Sequence, residues 1–203
     1  EYAARAFGLL GYDTTQAADL RQTLSIVSLY GVEVAADMRT LQSHGASNHV
    51  VSEPYLLHAF EFGLDNPNRR LAAQVFLAQE ARYRATGHVT AMSEGNLDQA
   101  PFFVYNSLHA DGANWMPVAP DGSRHPTART LSTKAAIGWS VLYDTAYGVQ
   151  LFDAAQDLAT PLGFVAGLYE ATGEINDIRS ANTNGVILEA LHFRAKGSFL
   201  KTP

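Results

Sequence analysis

The sequence predicts an all-α fold built from paired helices. Apolar residues recur at helical spacing in one segment after another, and several of these segments open on Pro or close on Gly, the usual asymmetry of helix ends. Two features fall outside that rhythm. One is a β-branched stretch near residue 30, and the other is a set of long polar loops.

The opening EYAARAFGLLGY is already in helical register. Ala3, Phe7 and Leu10 share a face, so residues 1–10 read as the end of a helix closed by Gly11. No cap residue and no Met precede it, which makes the chain read as a piece of a longer protein. Residues 24–34, LSIVSLYGVEV, are β-branched and predict an extended segment or short hairpin bent at Gly31. Residues 38–50 are polar and turn-like. Pro54 then starts a helix through about Phe62, and Asn66-Pro67 starts the next, with Leu71, Val75, Phe76, Gln79 and Tyr83 on one face until Gly87. From His88 to Pro126 the pattern predicts a loop of about forty residues, a length that usually signals function. Helix returns at about Ser132, breaks near Asp144 and resumes over 147–158. The last helix spans about 185–196. That makes about six helices, or three αα-hairpins, with no linker between domains.

Composition narrows the function. Hydrophobic residues make up 47% and charged ones 17%, so the chain is globular. A net charge of −6 argues against a nucleic-acid partner, and no apolar run reaches membrane-spanning length. With no cysteine, thiol catalysis, disulfides and zinc-thiolate sites are excluded, and an oxidising compartment is suited. The seven His residues lack His-x-x-x-His spacing, so no metal site is expected. Phosphate-binding Gly-rich loops and Gly-x-Ser-x-Gly are missing too, and no cofactor is expected.

Three polar clusters carry the candidate chemistry. In Ser52-Glu53-Pro54-Tyr55, Glu53 sits at a helix mouth, either as a first-turn acid favoured by the dipole or as a carboxylate aimed into a pocket beside Tyr55. In the second, Glu94 and Asp98 stand four apart, followed by aromatics including Tyr105 and, further on, Trp115. An aromatic-walled site can raise a carboxylic acid far enough to donate a proton near neutrality, and flat rings suit the apolar faces of sugars. The bland alternative is an acidic loop over a hydrophobic cluster. The third, GLYEATGEINDIRSANTNG, gathers Tyr169, Glu170, Asn182 and Asn184, a kit for holding a polyhydroxylated ligand. One of the two Asn residues also suits a helix cap. Arg129 and Lys134 flank a helix start and are placed to pair with acids.

VSEPYLL-x-x-x-EFG (51–63), AMSEGNLDQAPFFVYNSL (91–108), ARTLSTKAAIGWSVLYDT (128–145) and GLYEATGEIN…ANTNGVILEAL (167–191) occur in one order. Together they resemble the bacterial family catalogued as domain of unknown function 3131, and the resemblance covers nearly the whole chain. Where that family often carries another polar residue and a nearby Arg, this chain has Gly95 and Gln99. The resemblance implies that residues 1–203 are the C-terminal part of a single domain, about half of an (α/α)6 toroid similar to glucoamylase-like and endo-glucanase-like enzymes. The N-terminal remainder of that domain would be its partner. It also implies an exported protein, periplasmic or secreted, with a bacterial poly- or oligosaccharide as ligand.

The leading expectation is therefore glycosidic-bond hydrolysis by two carboxylates. Glu94 is expected as the acid, with Glu53 or Asp98 as the base. Tyr55, Tyr105, Trp115, Arg129, Tyr169, Glu170, Asn182 and Asn184 would hold the sugar. The alternatives are a non-catalytic glycan-binding or assembly subunit of an exopolysaccharide system, and a polysaccharide lyase.

Overall fold

A computed structural model describes residues 2–19, 23–45 and 48–200. It corrects the expected all-α class and its toroid of helical hairpins: the described residues are mixed, 44% helix and 22% strand, with several antiparallel sheets. The helices are α1 (Tyr2–Leu9), α2 (Thr15–Ala18), α3 (Leu41–His44), α4 (Glu53–Phe62), α5 (Asn68–Thr86), α6 (Thr133–Leu142), α7 (Ala146–Gln156) and α8 (Ala181–Lys196). The expected bent segment is the hairpin β1 (Leu24–Leu29) and β2 (Val32–Asp37), turning at Tyr30-Gly31.

The largest departure lies in the expected loop. Residues 88–126 hold β4 (Gly95–Asn96) and a hairpin of β5 (Phe103–Ala110) and β6 (Ala113–Val118), with β3 (His49–Val50) paired to β5. The turn between β5 and β6 is Asp111-Gly112, both at positive φ, a favoured hairpin connection. Strand alternation is hard to read here because every residue of β5 is at least half-buried, so neither face is consistently polar. Shorter strands follow: β7 (Thr130–Ser132), β8 (Ala159–Thr160), β9 (Gly163–Phe164), β10 (Gly167–Tyr169) and β11 (Ile175–Asn176). The order β11-β10-β7 turns part of the third polar cluster into sheet.

The core lies where α6 packs on α4, α7 and α8, while α5 packs against α4 and the β1–β2 hairpin. Trp139, Phe60, Leu29, Leu56, Met92, Leu108 and Leu151 are the largest of its fully buried apolar side chains. Gly138 permits the close α4–α6 approach: a Cβ there would stand 2.6 Å from Leu56 Cδ1. Gly167 does the same between strands, where a Cβ would meet the Leu131 carbonyl oxygen at 2.0 Å. No helix among the described residues is long and apolar enough to cross a membrane.

Candidate functional site

Three chain segments are drawn together around Ser52. Its backbone N–H and hydroxyl both donate to the Met92 carbonyl (3.1 and 2.6 Å), and Trp139 Nε1 donates to its Oγ (2.9 Å). Ser132 N donates to the Ala91 carbonyl (2.7 Å), which sets the start of α6 beside the same strand-like segment. All these groups are buried, so each bond made also avoids an orphaned polar group. The result fixes Glu53, Glu94 and Lys134 near one another.

Glu53 begins α4, Lys134 lies in the first turn of α6, and Asn182 in the first turn of α8. Lys134 Nζ donates to Glu53 Oε2 and to Asn182 Oδ1 (2.6 Å), and Asn182 Nδ2 donates back to Glu53 Oε1 (2.9 Å). This closes a ring of three side chains. The lysine side chain is 2% exposed and the glutamate 11%, so water screens the pair very little. Each charge is tolerated there because the other and the amide satisfy it.

Glu94 sits next to this ring. Ser93 Oγ accepts from the Glu53 backbone N–H (3.1 Å) and donates to Glu94 Oε2 (2.7 Å), linking the two acids. Burial pushes the Glu94 carboxyl above its ordinary value; the Lys134 charge opposes this and the Glu53 charge reinforces it. Ser93, Glu94, Gly95, Asn96, Lys134, Asn176 and Thr183 line a narrow cleft with room for about one water.

Asp98 stands in a different setting. Tyr169 Oη donates to its Oδ1 (2.7 Å) and the Asp177 backbone N–H to its Oδ2 (3.0 Å). Those bonds, the tyrosine's first, hold its carboxyl below the usual range on an exposed loop. Asn176 completes the seam, accepting from Asp98 N (3.1 Å) and donating to the Asn96 carbonyl (2.8 Å). Burial, followed by the bond to Asp98, raises the Tyr169 phenol to about 12.

Glu170, Arg129 and Trp115 form a third group together with Arg82. Glu170 takes hydrogen bonds from Arg82 (2.7 Å) and Arg129 (2.9 Å), and Arg129 also donates twice to the Trp115 carbonyl (2.9 and 2.6 Å). The Arg82 guanidinium lies 5.4 Å from the Trp115 ring centre. Burial pulls Glu170 upward, but the two guanidinium groups outweigh it and hold the carboxyl low.

The remaining candidates are dispersed. Asn184 donates to the carbonyls of Phe164 and Ser180 (both 3.1 Å) and accepts from Phe164 N (2.9 Å), stapling β9 to α8. The cap of α8 is Ser180, which accepts from Thr183 N (3.0 Å). Tyr105 stacks on His49 with centroids 4.2 Å apart, and Tyr55 lines a separate cavity. Thus Glu53, Glu94 and Asn182 converge, while Asp98, Tyr169, Glu170, Trp115, Arg129, Asn184, Tyr55 and Tyr105 serve elsewhere. Sequence reasoning credited Lys134 only with pairing. A single charge inside TKAAIGW, an otherwise uncharged helix start, was the signal for a buried partner. Among the described residues no group of three or more His, Asp or Glu is placed to hold a metal ion.

Comparison with known proteins adds the following. A solved structure described as "a putative glucoamylase from Bacteroides caccae" superposes with a TM-score of 0.57 at 13% identity, over 91% of this chain and 44% of its own. That likeness is one of fold, and the chain spans less than half the length of that structure. No curated protein matches the chain. The model of a family described as protein of unknown function, DUF3131, matches residues 1–197, and the chain belongs to that family.

Proposed function

We propose that the chain carries the catalytic acids of a glycoside hydrolase acting on a poly- or oligosaccharide, glucan-like in kind. The observation that carries this reading is a pair of carboxyl groups linked through Ser93 and held unequally, Glu94 on the lining of a narrow cleft and Glu53 in an ion pair with Lys134, which lines the same cleft. Burial pushes the Glu94 carboxyl upward, while Glu53 is ion-paired with Lys134 and accepts a hydrogen bond from Asn182. Two acids whose surroundings push them apart are the usual division into general acid and base.

In this reading Glu94 protonates the departing glycosidic oxygen. Glu53 stabilises the positive charge that grows on the sugar ring and accepts the proton of the attacking water. Lys134 is the counter-charge beside Glu53, and Ser93 fixes the orientation of the Glu94 carboxyl. Asp98 is left out of the chemistry, because its lowered carboxyl is already engaged by Tyr169 and Asp177. The description of the structural neighbour as a glucoamylase supports the same substrate class. An exported location, periplasmic or secreted, belongs to the reading, since such polysaccharides lie outside the cytoplasm and the chain has no cysteine. The N-terminal remainder of the domain would complete the cleft.

A second reading has its own observation. Both oxygens of Glu53 are already engaged by Lys134 and Asn182, as suits a structural ion pair in a non-catalytic glycan-binding subunit. Release of reducing ends from a panel of α- and β-glucans separates the two. Hydrolysis by the wild type that Glu94→Gln abolishes supports the enzyme, and glycan binding without any release supports the binding subunit.

A further inference from the structure

A cavity of about 480 Å³ lies between α4, α5, α1 and the β1–β2 hairpin. Its size is that of a small-molecule site. Tyr55 and His58, which line it, stand roughly 140–200° around α4 from Glu53, so it is not the cleft of the two acids. Leu24, Leu64 and Leu71 give it apolar walls.

Two histidines on its lining have their proton positions set by their partners. Asn68 donates through Nδ2 to Asp65 Oδ1 (2.7 Å), which orients the amide, and the same nitrogen reaches His58 Nε2 at 3.0 Å. His58 Nε2 must therefore accept, and the ring carries its proton on Nδ1. At the other wall Ser107 gives its hydroxyl proton to the Tyr105 carbonyl (3.0 Å). Its oxygen then accepts from His49 Nδ1 at 2.9 Å, which leaves His49 Nε2 as an acceptor. Among the described residues neither His58 Nδ1 nor His49 Nε2 has a partner, yet neither is sealed from solvent. Burial keeps both rings neutral, bringing His49 down to about 4 and lowering His58 as well. Arg39 and Asp37, the charges on this part of the lining, neutralise one another through bonds of 2.5–3.1 Å.

The cavity thus offers a neutral donor, a neutral acceptor and apolar walls, and Tyr55 and Asn48 add further uncharged polar residues to its lining. A hydroxyl group is donor and acceptor at once, and a pyranose ring also has an apolar face. An anionic ligand would find Arg39, the cation on the lining, already paired with Asp37 and would have to compete with that carboxylate. We propose that this cavity is a second ligand site, for an uncharged hydroxylated ring such as a neutral mono- or disaccharide, held between His58 Nδ1–H and His49 Nε2. It does not depend on hydrolysis at Glu94.

The test is titration of the full chain with glucose, cellobiose, maltose and glucuronate, followed by calorimetry and saturation-transfer NMR. At least one neutral sugar binds one to one, and glucuronate binds at least tenfold more weakly. His49→Phe and His58→Phe each weaken that binding tenfold or more, while Glu94→Gln leaves it unchanged. If a histidine variant fails to fold, Leu71→Trp fills the cavity without touching the polar network and abolishes binding. The proposal is overturned if no neutral sugar binds, if glucuronate binds equally well, or if binding survives Leu71→Trp. Loss of binding in Glu94→Gln also overturns it, by moving the sugar to the acid cleft. Absence of hydrolysis, by contrast, counts against the proposed enzyme alone.

Discussion

Replacing Lys134 with Met removes a positive charge from a place where only 2% of its side chain meets solvent. Glu53 is then a nearly buried carboxylate with Asn182 Nδ2 as its remaining side-chain donor. Breaking a buried ion pair from one side costs about 3–5 kcal/mol, because the charge left behind stays desolvated. The surviving amide bond favours the lower end, about 3 kcal/mol. For a chain of this size that corresponds to a fall in Tm of about 6–12 °C. Urea denaturation followed by circular dichroism measures it directly. Glu53→Gln added to Lys134→Met removes the stranded charge and recovers much of the loss, so the two changes are strongly non-additive. A loss below about 1 kcal/mol, or additivity within about 0.5 kcal/mol, would refute the buried-pair argument.

The raised carboxyl of Glu94 gives stability that is full below its ordinary value of 4.5 and is lost as pH rises through the higher folded value. Tm measured against pH should therefore fall in that window for wild type relative to Glu94→Gln, and parallel curves would count against a buried, protonated Glu94. Glu170 behaves oppositely: its lowered carboxyl stabilises above 4.5, and that stability is lost as pH falls through the lower folded value. Glu170→Gln strands the buried Arg82 and should lower stability by about 2–4 kcal/mol at neutral pH, seen in denaturant titration, with the deficit vanishing in acid. Tyr169→Phe deletes one hydrogen bond to an exposed carboxylate, so the expected loss is about 1 kcal/mol. Asp98→Asn should keep more than half of any glycan hydrolysis, and a thousandfold loss would restore Asp98 as the base.

Some of this was legible in the residues alone. Pro54 and Asn66-Pro67 marked the starts of α4 and α5, and the β-branched run with Gly31 marked the first hairpin. The second hairpin was not read, although Asp111-Gly112 is a strong turn signal. Every residue of β5 is largely buried, which blurs the polar alternation that identifies a strand, and β6 carries a Pro, a residue that argues against one. Residues 181–184 were likewise read as loop. Ser180 caps the helix earlier than the apolar stripe at Val186 suggests.

The same limits governed the site. Glu53, Glu94 and Asn182 were singled out from residue type and neighbours, and they converge. Nothing local to Trp115, Arg129 or Glu170 shows that they satisfy one another. Their partnership joins residues 14 and 41 apart, and Arg82 of α5 reaches Glu170 across 88. Polar density in the Gly167–Leu191 stretch was read as ligand-holding capacity. Much of it is hydrogen bonding between strands and loops, as Asn176 and Asn184 illustrate. Lys134 was the opposite case: its lone charge inside TKAAIGW hints at a buried partner, and its burial makes that partner Glu53.

The most direct test of the central claim is the rate of reducing-end release from a glucan that the wild-type protein cleaves, compared with Glu94→Gln at equal folded concentration. General acid catalysis is worth about 10²–10⁴ in rate. The unequal-acid account predicts a loss of that size with the melting temperature at neutral pH maintained or raised. Hydrolysis by Glu94→Gln within a factor of about three of wild type would contradict it.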